Sequence, residues 1–190
     1  MVIVTISGSP GAGKSTVAKL VAKKLKLKHY SIGDFMRELA AERNIWFPKF
    51  TEITKTDPTI DKALDERQIK LGKTKDNFVI DSRLGYYFIP NSIKIFLYVN
   101  EKESARRLYA SNREGEKYSS IKEALNHIKK RKLAERMRYK KYYNITFPRK
   151  GDFDFIINTS KIPAEKVATI IVSIISARNS NLYKPKKNTR

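Results

Sequence analysis

Residues 8–16, GSPGAGKST, set Gly8, Gly13, Lys14 and Ser15 at the spacing G-x-x-x-x-G-K-[ST]. Glycines at these places let the backbone turn successive N–H groups inward around a phosphate, and a helix beginning just after them adds its positive end. Lys14 then reaches the outer phosphates of a nucleoside triphosphate such as ATP, and the Ser15 hydroxyl helps to hold Mg²⁺. The expected donor site is therefore the whole run Gly8, Ser9, Pro10, Gly11, Ala12, Gly13, Lys14, Ser15 and Thr16. Such a loop specifies a triphosphate and leaves its destination open.

Other polar residues bear on that destination. Asp34 opens a helix-forming run, FMRELAAER, that carries Arg37, and a guanidinium near a helix N-terminus suits bidentate contact with a dianion. Asp81 ends an apolar strand-like run, NFVID, at the side where phosphates would lie, and is expected to serve Mg²⁺ through water. Arg131, Glu135 and Arg138 are spaced i, i+4, i+7, which puts all three on one face of a helix.

The elements that must position these groups alternate in type. VIVTI (2–6), KHYSI (28–32), NFVID (77–81), SIKIFLYV (92–99) and FDFIINTS (153–160) are short β-branched or apolar runs, as expected of strands buried on both faces. Helical spacing follows in 15–25, after Asp34, from Asp57 or Thr56 to a stop at Gly72, in 101–113, from Ser119 or Ser120 through 143, and after Pro163. The stretch 44–56 is expected to be irregular. Strand–helix alternation predicts an α/β fold, a five-stranded parallel sheet between two helical layers, with ligands beyond the carboxyl ends of its strands. The loop after Ile6, residues 81–83 and residues 158–161 all fall there.

Composition sets the outer bounds. The 190 residues suit one domain and hold no cysteine, which excludes disulfides and thiolate metal sites. No run of about 18 uncharged apolar residues is present, and the N-terminus lacks the features of a secretory signal. A cytoplasmic monomer is expected, with no membrane partner. Forty Lys and Arg against nineteen Asp and Glu give a net charge of +21. The excess concentrates in 101–150, with sixteen basic and six acidic residues, and in 177–190, with five and none. Such a balance attracts polyanions, so nucleic acid is a secondary candidate partner beside nucleotides; a lysine-rich or heat-adapted surface explains the same numbers.

The ordered set of motifs resembles the nucleoside monophosphate kinases, and within them the short cytidylate kinases typical of archaea. Ser31-Ile-Gly33-Asp34-x-x-Arg37 is similar to their S-x-G-D-x-x-R segment, DPTIDKALDERQ (57–68) to their D-P-x-I-D-x-x-x-D-x-R-Q run, and Asp81-Ser82-Arg83 to their D/E-G-R segment, with serine in place of glycine. The resemblance spans residues 1 to about 175. It implies transfer of the γ-phosphate of ATP to CMP or dCMP, with Ser31, Asp34, Arg37, Arg83 and Glu135 on the acceptor nucleotide. Lys14, Arg131 and Arg138 are then the catalytic cations, the two arginines clamping the transferred group. It also implies that the Asn158-Thr159-Ser160 turn lies beside the donor base. One kinase domain is expected over 1–176, with an acceptor-binding segment at 34–72, a lid at 112–140 and a mobile basic tail from 177. The same reaction on AMP or UMP, an RNA-associated kinase or assembly factor, and an ATPase switch are the alternatives.

Overall fold

The structure, a computed structural model, describes residues 1–54, 56–111 and 118–179. Residues 112–117 of the expected lid, Lys55 and the tail beyond 179 lie outside the described residues. Five strands, β1 (Ile3–Gly8), β2 (Lys28–Ser31), β3 (Phe78–Asp81), β4 (Ile93–Tyr98) and β5 (Phe155–Asn158), form a sheet of order β2-β3-β1-β4-β5. Every pairing is parallel. The register sets Ile6 and Ser31 level with Asp81 on β3, and Gly8 level with Leu97 on β4. The glycine-rich loop, Asp81 and Ser31 therefore emerge at one edge of the sheet.

Helices α1 (Lys14–Leu25) and α8 (Ala164–Asn179) cover one face. Val17, Val21, Val167 and Ile171 bury there against Val4, Ile6 and Ile95. On the other face lie α2 (Ile32–Glu42), α3 (Phe47–Ile53) and α4 (Pro58–Thr74), whose Phe35, Leu39, Phe50 and Leu64 pack on Phe78 and Ile80. A single turn, α5 (Gly85–Phe88), follows the Asp81–Arg83 segment. Helix α6 (Glu101–Tyr109) then holds α7 (Ile121–Tyr143) through a satellite cluster of Ala105, Leu108, Ala124 and Ile128. Further along α7, Tyr139 joins Tyr86, Phe96, Phe147 and Phe153 in an aromatic cluster.

Local details depart from the sequence expectations at three places. Ser31, not Asp34, caps α2: its hydroxyl accepts the Asp34 N–H at 3.0 Å, which starts the helix three residues earlier. Residues 47–53 form α3 with Pro48 in its first turn, where 44–56 reads as irregular. Helix α4 passes through Gly72 to Thr74, and Gly72 lets the Ile89 side chain approach, a Cβ there lying 2.9 Å from Ile89 Cγ2. At the start of α7 the expectation holds: Ser120, one of the two serines offered there, is the cap, and Glu123 reaches back to the Ser119 N–H and hydroxyl.

Candidate active site

The loop between β1 and α1 is built by close approach. Gly8 sits so near β4 that a Cβ on it would fall 2.1 Å from the Leu97 carbonyl oxygen. Gly13, at φ +81°, caps α1 in the left-handed region. Lys14 lies folded back over the loop, its Nζ donating to the Ser9 carbonyl at 3.2 Å. Burial, with the guanidinium groups of Arg83 and Arg131 nearby, holds the Lys14 ammonium well below the usual lysine range. An anionic ligand beside these three side chains would relieve that strain and restore the ammonium.

The segment after β3 is fastened to the same loop. Ser7 Oγ donates to the carbonyls of Ser82 and Arg83 at 2.8 and 3.0 Å, and Arg83 Nη1 donates to the Gly8 carbonyl at 2.8 Å. Arg83 Nε lies 2.7 Å from Glu135 Oε1, which also accepts from Arg131 Nε at 3.2 Å. Two of the three residues expected on one face of α7, Arg131 and Glu135, therefore meet the loop through Arg83. Arg138, the third, lies 3.5 Å from Asp61 of α4.

Above the strand ends is a cleft of about 340 Å³ in which Lys14, Ser15, Asp81, Arg83, Arg131, Glu135 and Arg138 all take part. Its far wall is α4, with Asp61, Leu64, Asp65 and Gln68 on one face, and Tyr139 and Tyr143 of α7 opposite. A smaller cavity over Gly11, Gly13, Lys14 and Ser15 shares Arg83 and Arg131 with the cleft. Beyond it, a 270 Å³ pocket lies between Thr16 and Val17 of α1, Arg107 of α6, and Thr159 and Ile162 after β5. The small cavity adjoins both of the others, sharing Lys14 and Ser15 with the cleft and Gly13 with this pocket.

Three residues expected at the acceptor stand elsewhere. Ser31 is buried as the α2 cap, and Asp34 lies 3.6 Å from Arg37 at the surface. Arg37 Nη1 donates to the Gly33 carbonyl at 2.9 Å, with its guanidinium over the Phe47 ring. None of the three lines the cleft, whereas Ile32, Gly33 and Met36 of the same helix do.

Residues 3–161 match the cytidylate kinase-like family. The chain belongs to that family. The cytidylate kinase of Sulfolobus acidocaldarius is 36% identical over 176 residues, which cover 93% of this chain and 95% of that one. The cytidylate kinase of Archaeoglobus fulgidus is 32% identical, with 92% and 95% covered. Among solved structures, an uncharacterized protein from Eubacterium ventriosum superposes with a TM-score of 0.71 at 22% identity, covering 94% of this chain and all of that one. A shikimate kinase from Bacteroides thetaiotaomicron gives 0.64 at 15% identity, with 92% and 98% covered. Those two likenesses speak for the α/β P-loop kinase fold alone.

Some features of this family member escape sequence reasoning. Arg107 donates to the carbonyls of Gly11 and Thr159 at 3.3 and 2.7 Å, and Glu103 steadies it from one turn earlier. It thereby ties α6, the glycine-rich loop and the β5 turn into one wall of the donor-side pocket. The signal available was the Glu103–Arg107 spacing, which a solvated helix shares. Ser82 Oγ donates to Gln68 Oε1 at 2.6 Å, joining the α4 face to the segment after β3. Gln68, three residues beyond Asp65, was legible only as part of a longer motif.

Proposed function

We propose that the protein transfers the γ-phosphoryl group of ATP to CMP or dCMP, giving ADP and CDP or dCDP. The arrangement of pockets around the glycine-rich loop supports this proposal: the cleft and the small cavity over the loop share Lys14, Arg83 and Arg131, and that cavity shares Gly13 with the pocket beside Thr16. ATP takes the Thr16, Arg107 and Thr159 end, and residues 8–16 hold its phosphates. An oxygen of the acceptor's phosphate attacks the γ-phosphorus, the bond to the β–γ bridging oxygen breaks, and ADP leaves with that oxygen. The attacking oxygen is already anionic, so no general base is required. Lys14, Arg131 and Arg138 stabilise the charge spread over the transferred group, and Arg83 fixes the acceptor phosphate beside it.

Glu135, between Arg83 and Arg131, aligns both cations and lies where the acceptor binds. Arg37 reaches the acceptor by leaving the Gly33 carbonyl and the Phe47 ring, a change of one long side chain; Ser31 and Asp34 hold the turn that carries it. Ser15 and, through water, Asp81 suit a divalent cation. Asp81 Oδ1 is a buried oxygen with no hydrogen-bond donor among the described residues, the kind of atom a hydrated cation satisfies. Mg²⁺ bound there with ATP would neutralise the β- and γ-phosphate oxygens. The protein then acts as a monomer in which 1–176 is one kinase domain, 34–72 holds the acceptor and 112–140 closes as a lid. Pyrimidine nucleotide metabolism in the cytoplasm is the setting this activity implies.

Steady-state turnover with CMP, dCMP, UMP and AMP at saturating ATP tests the proposal. CMP or dCMP should show the highest kcat/KM. AMP or UMP ahead of both would sink it, and ATP hydrolysis with no phosphorylated acceptor would favour an ATPase switch.

A further inference from the structure

Four carboxylates line the acceptor cleft, and three of them face cationic or ionisable nitrogen groups. Glu135 is held by Arg83 and Arg131, Asp61 faces Arg138, and Asp81 stands 3.5 Å from the His29 ring. Asp65 differs. Among the described residues its partners are neutral donors: the Tyr143 hydroxyl donates to Oδ2, and Gln68 Nε2 to Oδ1 at 3.4 Å. Gln68 is itself fixed by the Ser82 hydroxyl, so a chain of hydrogen bonds from the floor of the cleft orients the Asp65 carboxylate. A half-buried carboxylate is costly to keep when its nearest cation, here Arg138, is paired with another carboxylate, Asp61. Burial pushes Asp65 up to about 6, with the Tyr143 hydrogen bond acting the other way.

We infer that Asp65 reads the 4-amino group of the acceptor base and thereby sets cytosine against uracil. Its role rests on CMP being the acceptor. The cationic end of the cleft, at Lys14, Arg83 and Arg131, takes the phosphate, which leaves the base to the α4 wall. Leu64 on α4, with Met36 of α2, Leu84 after β3 and Tyr139 of α7 around the same cleft, offers apolar surface for a flat ring, and Asp65 lies beside Leu64 on α4. Each carboxylate oxygen has a second lone pair beyond the one its neighbour uses, so Asp65 still accepts from a ligand. Cytosine presents an N–H donor at C4. Uracil presents a carbonyl oxygen there, which would set two acceptors face to face with no hydrogen between them. A site built to pair a donor rejects the analogue lacking it strongly, because the protein group is then left unsatisfied.

Asp65→Asn separates this role from a structural one. The amide has both a donor and an acceptor, and so matches the O4 and N3–H edge of uracil as well as the N3 and amino edge of cytosine. The expected result is a fall of at least about tenfold in the CMP-to-UMP ratio of kcat/KM, with the KM for ATP unchanged. Calorimetric binding of CMP and UMP without ATP should show the same change of ratio. Equal losses for both nucleotides would overturn the role of Asp65 and leave the CMP kinase activity standing. A wild-type enzyme that prefers UMP or AMP would remove that activity and the role of Asp65 together. Should Asp65→Asn not fold, Tyr143→Phe carries the test: it keeps the carboxylate but releases Oδ2. A lowered CMP-to-UMP ratio supports the role, and an unchanged ratio overturns it.

Discussion

A single carboxylate shows how the cleft trades stability for recognition. Asp65 sits among Tyr143, Asp61, Glu66 and Arg138, and burial dominates, raising it from 3.8 to about 6. The sign of the consequence is fixed by linkage. The folded state holds the Asp65 proton more tightly than the unfolded chain, so its destabilising effect is absent below the unfolded value. It grows as pH rises between the two values and is complete above about 6. Asparagine does not titrate there and still accepts from Tyr143. Asp65→Asn should therefore gain melting temperature over the wild type, and gain more at about pH 7 than at about pH 4. Thermal unfolding of both proteins across that range checks it; a gain that shrinks with rising pH would show that Asp65 is not strained when ionised. Sequence alone could not single out this residue. Asp61 and Asp65 are one helical turn apart with the same chemistry, and only the fold gives Arg138 to one and Tyr143 to the other. Lys14 was legible by contrast, because a local backbone motif fixes its role.

At the scale of elements, what the sequence carries locally was legible and what tertiary packing decides was not. All five strands and the helices that bear the site follow from apolar runs and helical spacing. The start of α2 does not, since Ser31 and Asp34 are both good caps and the strand register settles which one serves. Gly72 resembles a helix stop until Ile89 packs against it. The same distinction predicts unlike outcomes for two glycines of one loop. Gly8→Ala drives a Cβ into the Leu97 backbone, which cannot step aside without parting β1 from β4. It should lower stability by several kcal/mol. Gly13→Ala meets open space and only the strain of a left-handed φ, about 1 kcal/mol. Chemical denaturation of the two variants tests the ordering. Equal losses would mean that the β1–β4 approach is looser than this structure has it.

The whole molecule carries +21, far more than two nucleotides need, and about half of the excess falls in residues 101–150, which include the α7 side chains that line the cleft. Helix α7 alone has Lys129, Lys130, Arg131, Lys132, Arg136 and Arg138 within ten residues. Two accounts of this charge differ in what salt does. If the field serves to gather anionic nucleotides, it acts on encounter, and screening removes it once the Debye length falls to about 10 Å or less. The kcat/KM for CMP should then fall several-fold between about 50 and about 300 mM NaCl, while kcat, set by cations that touch the bound nucleotides directly, changes little. RNA would be attracted by the same field and released by the same salt, the more steeply the more of its phosphates the protein neutralises. If the charge instead marks an RNA-associated protein, a single-stranded RNA oligomer should stay bound and saturable at the higher salt and compete with CMP. Parallel measurements of turnover and RNA binding over that range decide between the two accounts. Retained RNA binding with loss of CMP phosphorylation would move the protein out of small-molecule metabolism, whereas RNA released at a salt where kcat persists leaves the charge as a steering device for the nucleotides of one cleft.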